Sequence, residues 1–320
     1  MTKDSNEHAF MDFFKKHKKD NGRGQQRNAS QYDRGRTSRC INELQLKAGP
    51  FMLQRSMEET LKNKLPSKSE YVVFIRSSKA QWEATEKLLK SDVTEKAKGS
   101  KNKLHVFAVI QRLRMICAHP YFADQVNDAD MLEFLSKQST ETLDDLFESD
   151  DGSVDDVVDT ERMKTYLSRN LISDILKDAP MMRVCKDILV QRSQTGHKTL
   201  VFCEFRKALD IMAHVLDDAN LEYCRIDGSV KQSLRDMYID DINCRKSSTK
   251  IALITTRAGG LGLTLTGADT VISLGPSWNP MVDAQAIGRA HRIGQTRPVT
   301  VYRLCMADLI DELVGSGTVL

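Results

Sequence analysis

The sequence of 320 residues lacks the features that would place a protein in a membrane or outside the cell. No apolar run approaches the roughly 20 residues that a membrane helix needs. The seven cysteines are widely spaced, and no C-x-x-C pair occurs among them, so neither a disulfide framework nor a zinc site is predicted. The first residues carry no apolar stretch that ends in a small-residue cleavage site, so no secretory signal is predicted. We expect an intracellular protein without membrane contact.

A large excess of one charge is also missing, because 47 Lys and Arg residues face 44 Asp and Glu residues. The 40% of hydrophobic residues is enough for a packed core and argues against a wholly disordered chain. The charges are nevertheless unevenly distributed. Residues 3–39 hold ten Lys or Arg and five acids, and residues 141–161 hold ten acids and no base. The basic segment is interpreted as a solvated tail or a nucleic-acid contact, and the acidic segment as a flexible insertion.

Regular alternation of strands and helices begins at about residue 170. The predicted strands are 198–204, 221–226, 250–255, 270–274 and 299–304, and the predicted helices are 172–193, 206–217, 232–243 and 281–291. Apolar strands that alternate with helices of this length predict a parallel sheet covered on both faces. We therefore expect an α/β fold, an open, doubly wound parallel sheet of about five strands.

The N-terminal part adds further elements. A β-branched and aromatic run at 70–78 predicts another strand, helical spacing follows at 78–91, and an apolar helix is predicted at 103–118, ending before His119-Pro120. A short helix that stops at Leu65-Pro66 is predicted before them, and another around Met131 to Leu135. The predicted organisation has five parts: a basic, mostly irregular lead-in (1–45), a helical linking part (46–123), an acidic insertion (124–164), the α/β lobe (165–305) and a terminal helix or tail (306–320).

The first candidate site is the glycine-rich loop at 255–264, which directly follows a predicted buried strand. Ligands of open α/β sheets bind beyond the carboxyl ends of strands, and glycines let backbone N–H groups approach a phosphate. The loop lacks the Lys-Ser/Thr of a Walker A motif and does not fit G-x-G-x-x-G. A structural tight turn is the alternative interpretation.

The second candidate is the run 285–295, in which Gln285, Arg289 and Arg292 stand at i, i+4 and i+7. On a continuous helix these side chains would share one face. Two guanidiniums and an amide presented together suit a planar or tetrahedral anion. An exposed cationic helix face without a ligand is the alternative.

Two weaker candidates follow other predicted strands. In Asp227-Gly228-Ser229 the residues suit a tight turn, or Ser229 and nearby amides contact a nucleic-acid phosphate. Trp278, in Ser277-Trp278-Asn279-Pro280, is either a packed core residue or a loop residue near a cleft.

The order and spacing of these motifs resemble the C-terminal RecA-like lobe of Swi/Snf-type ATPases, which are superfamily-two DNA translocases. The resemblance covers roughly residues 40–125 and 165–305, and its details are similar to the Cockayne-B-like or PICH-like branch. The matching segments are PFMLQR, QRLRMICAHPYF, KTLVFCEF, RIDGS, ITTRAGGLGLTLTGAD, SWNPMVDAQ and AIGRAHRIGQTRPVTVYRL. It implies a RecA-like doubly wound parallel sheet with helical N-terminal additions.

The resemblance also implies roles for particular residues. Arg289 and Arg292 would reach ATP bound on a first lobe, with Arg292 as the arginine finger. The implied nucleotide-facing residues are Arg292, Arg289, Gln285, Gly260 and Gly262. The implied DNA-facing residues are Thr256, Arg257, Gly228, Ser229 and Trp278. Two departures stand out: Gln54-Arg55 replaces the family's usual pair of arginines, and the Thr-x-Glu-Glu helix that normally follows VYRL is not present.

A phosphate-binding G-x-x-x-x-G-K-[ST] loop does not occur in this sequence. Asp311-Glu312 has the letters of a magnesium-binding acid pair, but it falls in a predicted terminal helix and is expected to face solvent. No metal site is predicted. ATP and Mg²⁺ are therefore expected to be held mainly by a first RecA-like lobe, supplied in cis or in trans, and the chain alone is expected to be inactive.

The resulting hypothesis is the C-terminal half of an ATP-dependent DNA translocase that acts in chromatin remodelling or DNA repair. Its expected partners are double-stranded DNA, the first lobe and the nucleosome, and its expected location is the nucleus, or the cytoplasm of an organism without one. A non-catalytic DNA- or chromatin-binding module and an RNA helicase lobe are the alternatives.

Overall fold

The computed structural model describes residues 30–51, 65–92, 94–95, 103–125, 158–259 and 262–319. The chain separates into two units, Met1–Lys62 and Asn63–Leu320. Among the described residues, none of the helices combines the length and the apolar character that a membrane span requires. The helices predicted before Leu65-Pro66 and around Met131 to Leu135 lie largely or wholly outside the described residues.

The first unit contains a helix, α1 (Gln31–Ala48), followed by a 3₁₀ turn at Gly49–Phe51. Ser30 is the N-cap, and its side chain accepts a hydrogen bond from the Asp33 backbone N–H. The prediction of a mostly irregular lead-in through residue 45 is therefore wrong from Gln31 onward. A capping serine and 18 residues without proline allow a helix even where apolar periodicity is weak.

The second unit is built on a parallel sheet of six strands among the described residues. They are β1 (Lys68–Arg76), β2 (Thr199–Cys203), β3 (Tyr223–Ile226), β4 (Ile251–Thr255), β5 (Thr270–Leu274) and β6 (Val299–Ala307). Their spatial order is β1-β6-β5-β2-β4-β3. The central β2 pairs on both sides, so that Val201 lies between Leu253 and Ile272. The sheet exceeds the predicted five strands because β1 extends it beside β6, with Tyr71 opposite Tyr302.

The helices of this unit largely follow the predicted pattern. They are α2 (Lys79–Leu89), α3 (Lys103–Ala118), α4 (Thr160–Arg169), α5 (Ile172–Asp178), α6 (Pro180–Gln194), α7 (Arg206–Asp218), α8 (Gln232–Asn243), α9 (Thr256–Gly259), α10 (Pro280–Ala290) and α11 (Ile310–Val319), with a 3₁₀ turn at Pro120–Ala123. The prediction of a single helix at 172–193 is wrong, because the helix is interrupted at Ala179. Pro180 lacks a backbone N–H and disfavours helical geometry in the residue before it, so α6 starts afresh there.

Two apolar layers cover the sheet. Leu200 and Phe202 face a layer formed by α8, α10 and residues 263–268, which we call the α10 face. Val201 and Cys203 face a layer formed by α3, α5, α6 and α7, which we call the α7 face. Successive side chains of a strand point to opposite faces, so these all-apolar strands need helices on both. Because every strand is parallel, all carboxyl ends lie at one edge, and the loops that leave it carry most of the predicted site residues.

Candidate nucleotide and DNA interface

The loop after β3 is a turn organised by Asp227. Its Oδ1 accepts hydrogen bonds from the Ser229 backbone N–H (2.9 Å) and hydroxyl (2.6 Å), and Arg225 Nε donates to Oδ2 (2.6 Å). Burial opposes ionisation of this carboxyl, but the Ser229 hydrogen bonds and the Arg225 charge outweigh it and lower the pKa of Asp227. Gly228 and Ser229 lie exposed at the tip of the turn. Asp227 thus fixes the loop and occupies both Ser229 donors.

The loop after β4 begins with Thr256 and Arg257 in the one-turn helix α9. Thr256 is buried and Arg257 is half-buried. Gly262 is exposed and has φ of 71°, a left-handed backbone conformation that glycine adopts without a steric penalty. The predicted nucleotide residue Gly260 lies outside the described residues.

The loop after β5 carries Trp278 to the surface, where 36% of this residue is exposed. The interpretation of Trp278 as a packed core residue is therefore wrong. Its neighbour Ser277 is buried and donates from its backbone N–H (3.1 Å) and hydroxyl (2.5 Å) to Asp283 on α10. Asn279 caps α10 by accepting from the Met281 backbone N–H at 3.0 Å. The Trp278 loop is thus anchored to the first turns of α10, the helix that carries Arg289.

The predicted cationic group lies at the other end of α10. Gln285 and Arg289 share a helical face, but the helix ends at Ala290, and the C-cap His291 leaves helical geometry with φ of −88° and ψ of 78°. Arg292 therefore stands in a turn beyond the helix, and the prediction that all three share one helical face is wrong for Arg292.

Arg289 and Arg292 are nevertheless close enough to interact electrostatically. Burial and the positive charge of Arg292 together lower the pKa of the Arg289 guanidinium. Arg292 is exposed, and within the described part of the chain no ion pair joins it to a carboxylate. Leu265 donates its backbone N–H to the Arg289 carbonyl oxygen at 2.9 Å, so the segment after Gly262 runs to the end of α10. Of the predicted nucleotide residues that are described, Gln285 and Arg289 thus lie on α10, Arg292 lies in the turn after it, and Gly262 lies in the segment that leads to Leu265.

Arg289 and Arg292 place two positive charges at the end of α10 and just beyond it. No group of three or more His, Cys, Asp or Glu among the described residues is arranged to hold a metal ion. Two guanidiniums close together favour an anionic ligand over a cation.

The acid pair Asp311-Glu312 on α11 is less exposed to solvent than predicted. Asp311 is only 2% exposed, so the expectation that it faces solvent is wrong. Burial raises the pKa of Asp311 to about 6, against the attraction of Arg114 on α3. Glu312 accepts a hydrogen bond from the Asp308 backbone N–H at 2.7 Å. The first turn of α11 thus packs inward instead of presenting two carboxylates together.

The sequence interpretation assigned no role to Arg114, within QRLRMICAHPYF. Its guanidinium binds Glu204, after β2, through two hydrogen bonds of 2.9 and 2.6 Å. It also donates to the carbonyl oxygen of Pro276, two residues before Trp278, at 2.9 Å. Nothing in the pattern of this motif distinguishes a buried arginine from an exposed one, and the partners lie 90 and 162 residues away.

Two family descriptions match the chain. Residues 6–122 match the SNF2-related domain, and residues 180–294 match the helicase conserved C-terminal domain. The first match includes β1, which pairs with β6 in the same sheet as the strands of the second.

Several curated proteins are similar over most of this chain. The "ATP-dependent DNA helicase DDM1" of Arabidopsis thaliana is 34% identical over 87% of this chain and 32% of its own length. The human "SWI/SNF-related matrix-associated actin-dependent regulator of chromatin subfamily A member 1" is 30% identical over 86% of this chain and 23% of its own. The "ISWI chromatin-remodeling complex ATPase ISW1" of Saccharomyces cerevisiae is 30% identical over 86% and 21%. This chain spans about a third or less of these relatives.

A solved structure supports the fold. The crystal structure of the C-terminal part of the Fun30 ATPase domain matches with a TM-score of 0.57 and 23% identity, covering 79% of this chain and 89% of that one. This confirms the predicted RecA-like α/β architecture. The narrower placement in the Cockayne-B-like or PICH-like branch stays a prediction. The chain combines an SNF2-related segment with a helicase C-terminal domain, and it is a homologue of the Swi/Snf-type chromatin-remodelling ATPases.

Proposed function

We propose that this chain supplies the C-terminal RecA-like lobe of an ATP-dependent DNA translocase that acts on chromatin in the nucleus. The observation that carries the proposal is the pair of arginines at the end of α10. Arg292 is exposed, and its charge acts on Arg289. Like charges held together at a surface repel one another, so an anion that binds both relieves a repulsion as well as forming charge-assisted hydrogen bonds.

The anion is the triphosphate of ATP, held with Mg²⁺ by a first RecA-like lobe. Bound ATP supplies the phosphoryl group whose transfer to water releases free energy. Arg292 is proposed to donate to the γ-phosphate as charge develops there, with Arg289 and Gln285 orienting it. An arginine in this role typically contributes a factor of about 10³–10⁵ in rate.

Duplex DNA is the proposed track, contacted at the carboxyl edge of the sheet. The proposed contacts come from the loops after β3, β4 and β5: Gly228, Ser229, Thr256, Arg257 and Trp278. The Ser229 N–H and hydroxyl bind Asp227 in this structure, so Ser229 is proposed to contact DNA by exchanging one of these hydrogen bonds for a phosphate oxygen. Contacts of backbone and polar side chains with phosphate carry no sequence information, so binding is expected to be sequence-independent and salt-sensitive. Because α10 runs from the Trp278 loop to Arg289, it offers a direct mechanical link between the DNA contact and the nucleotide contact.

The arginine assignment is tested by reconstitution. The chain is fused to or mixed with a matching first lobe, and DNA-stimulated ATP hydrolysis is measured for the unchanged protein, for Arg292→Ala and for Arg183→Ala. Arg183 is an exposed arginine on α6, on the α7 face, and serves as the matched control. We expect a loss of about 10³-fold for Arg292→Ala and no loss for the control. Full activity of Arg292→Ala would overturn the assignment.

The DNA contact is tested separately by the salt dependence of duplex binding. Removing one phosphate contact by Arg257→Ala should reduce the slope of log K against log salt by about 1, with Arg183→Ala unchanged. Competition between duplex DNA and single-stranded RNA distinguishes this proposal from an RNA helicase lobe. Absence of duplex binding at low salt, or preference for the RNA, would contradict the DNA assignment.

A further inference from the structure

The turn that carries Arg292 is defined by its backbone. The Arg292 N–H donates to the Ala290 carbonyl oxygen (3.2 Å), and the Arg292 carbonyl oxygen accepts from the Gln295 N–H (3.0 Å). Gly294 completes the turn with φ of 104°, which favours glycine. The Arg292 side chain is exposed and has no ion pair within the described ranges. The position of its guanidinium before ligand binding therefore depends on what holds this turn.

Gln295 holds the turn from inside. Its side chain is 7% exposed and uses both ends of the amide. Nε2 donates to the carbonyl oxygens of Ala268 (2.7 Å) and Ala290 (3.2 Å). Oε1 accepts from the backbone N–H groups of Thr296 and Arg297, both at 2.9 Å. One buried amide thus joins the end of α10, the turn and the residues that lead into β5 and β6.

His291 holds the turn from outside. Its Nε2 lies 2.9 Å from the carbonyl oxygen of Pro66, just before β1. A carbonyl oxygen can only accept, so Nε2 carries the proton in this contact. The next residue of the same segment, Ser67, accepts from the Val299 N–H at 2.9 Å. The turn is thereby tied to the SNF2-related segment as well as to the sheet.

We propose that Gln295 and His291 are positioning residues for Arg292, and this inference rests on the arginine role proposed above. Neither side chain is proposed to touch the nucleotide. Both act by fixing the Arg292 backbone beside Arg289. The guanidinium is then already positioned to reach the γ-phosphate and does not have to be reoriented in each catalytic cycle. A displacement of about 1 Å in a reacting group can cost about 10²-fold in rate. We therefore expect Gln295 and His291 to affect kcat more than the affinity for the nucleotide.

A double-mutant cycle separates positioning from simple structural support. In the reconstituted two-lobe protein, kcat and KM for ATP are measured for Gln295→Met, Arg292→Ala and the double variant. We expect Gln295→Met to lower kcat by about 10²-fold, with a much smaller change in KM. In the Arg292→Ala background, the same substitution should cost less than about 3-fold, because residues that act as a unit are non-additive.

Gln81 provides the matched control for a buried amide. It is fully buried, its Nε2 donates to the carbonyl oxygens of Ile116 (3.1 Å) and Cys117 (2.8 Å), and its Oε1 accepts from the Ser78 N–H. Gln81→Met should therefore lower the free energy of unfolding comparably. Any fractional effect that it has on kcat should be the same in the Arg292→Ala variant as in the unchanged protein, because distant, independent sites are additive.

Substitutions of His291 test the same positioning role if Gln295→Met does not fold. His291→Leu removes a single hydrogen bond at a half-buried site, and His291→Gln retains a donor at similar reach. We expect a loss of kcat for His291→Leu and recovery of most of it for His291→Gln. Equal fractional losses with and without the Arg292 side chain, or no recovery, would overturn the positioning role. An active Arg292→Ala would instead overturn the proposed arginine finger itself.

Discussion

Two arginine sites lie on opposite faces of one sheet, Arg114 on α3 and Arg292 in the turn after α10, and they differ in how their charge is balanced. Arg114, on the α7 face, is 4% exposed, and its guanidinium is bound by Glu204 and Pro276. Burial alone would lower the pKa of Arg114, but the charge of Glu204 outweighs it and raises that pKa. On the α10 face, Arg292 is exposed, and its charge acts on another arginine.

Arg114 therefore has a structural role, whereas Arg292 is accessible to a ligand. A buried guanidinium must be neutralised within the fold, because an uncompensated buried charge costs several kcal/mol. An exposed guanidinium beside a second positive charge adds little to stability and suits an external anion. Arg114 also links α3 to the loops after β2 and β5, so the SNF2-related segment supports the edge that carries Trp278.

The largest effect that would sharpen this comparison is on stability. Arg114→Ala should lower the free energy of unfolding by about 3–5 kcal/mol, because Glu204 loses its partner in a mostly buried position. Arg292→Ala should change it by no more than about 0.5 kcal/mol. Denaturant titration of both variants measures the difference, with Arg183→Ala as the exposed control. Equal destabilisation by the two substitutions would break the comparison.

A second prediction concerns the carboxyl that shares the Arg114 site. Burial raises the pKa of Asp311 from 3.8 to about 6. Between those values the folded state binds more protons than the unfolded state, so the free energy of unfolding falls as pH rises from about 4 to about 6. Asp311→Asn, which is neutral throughout, should match the unchanged protein near pH 4 and be more stable by about 3 kcal/mol at pH 8.

The measurement is a pair of urea titrations at each pH. The exposed Asp187→Asn on α6 is the control, and it should show no such pH-dependent difference. A stability of Asp311→Asn that lies below the unchanged protein at pH 8 would mean that the Asp311 carboxylate is compensated within the Arg114 site.

The smallest expected effect on stability concerns Arg303, whose exposure is between that of Arg114 and that of Arg292. Arg303 on β6 donates to Glu70 on β1 at 2.9 Å, and both side chains are partly exposed. Glu70→Gln removes this pair and the Lys68–Glu70 ion pair together, and it should lower the free energy of unfolding by about 0.2–1 kcal/mol, because solvent screens both. Thermal unfolding at low and high salt measures it. A loss as large as that of Arg114→Ala would show that exposure does not govern these pairs.

Local pattern was sufficient for most of the core. Short continuous apolar runs predicted β2, β4 and β5, and proline at position 120 predicted the end of α3. The same rule, applied to Pro180, would have separated α5 from α6. The helix at Gln31 was missed because its capping signal is local, while the prediction relied on apolar periodicity.

Contacts between distant residues were beyond the reach of the sequence. The i, i+7 spacing of Gln285 and Arg292 assumed a continuous helix, but the helix ends before His291, which binds Pro66, 225 residues earlier. Asp311 was expected to face solvent because it falls in a predicted terminal helix. The groups that surround it, Arg114 and Cys117, belong to the distant helix α3, which the local pattern around Asp311 does not reveal. The spacing of the arginines in the sequence therefore predicted that they lie together, but it did not predict the turn and the long-range contacts that position Arg292.

We propose above that the arginines of this chain act on ATP held by another polypeptide segment. The most direct measurement is ATP hydrolysis by the purified 320-residue chain with Mg²⁺ and duplex DNA, alone and after addition of a first lobe. We expect no turnover above background for the chain alone and DNA-stimulated turnover with the first lobe, which Arg292→Ala lowers by about 10³-fold. Motor-like hydrolysis by the chain alone would contradict it.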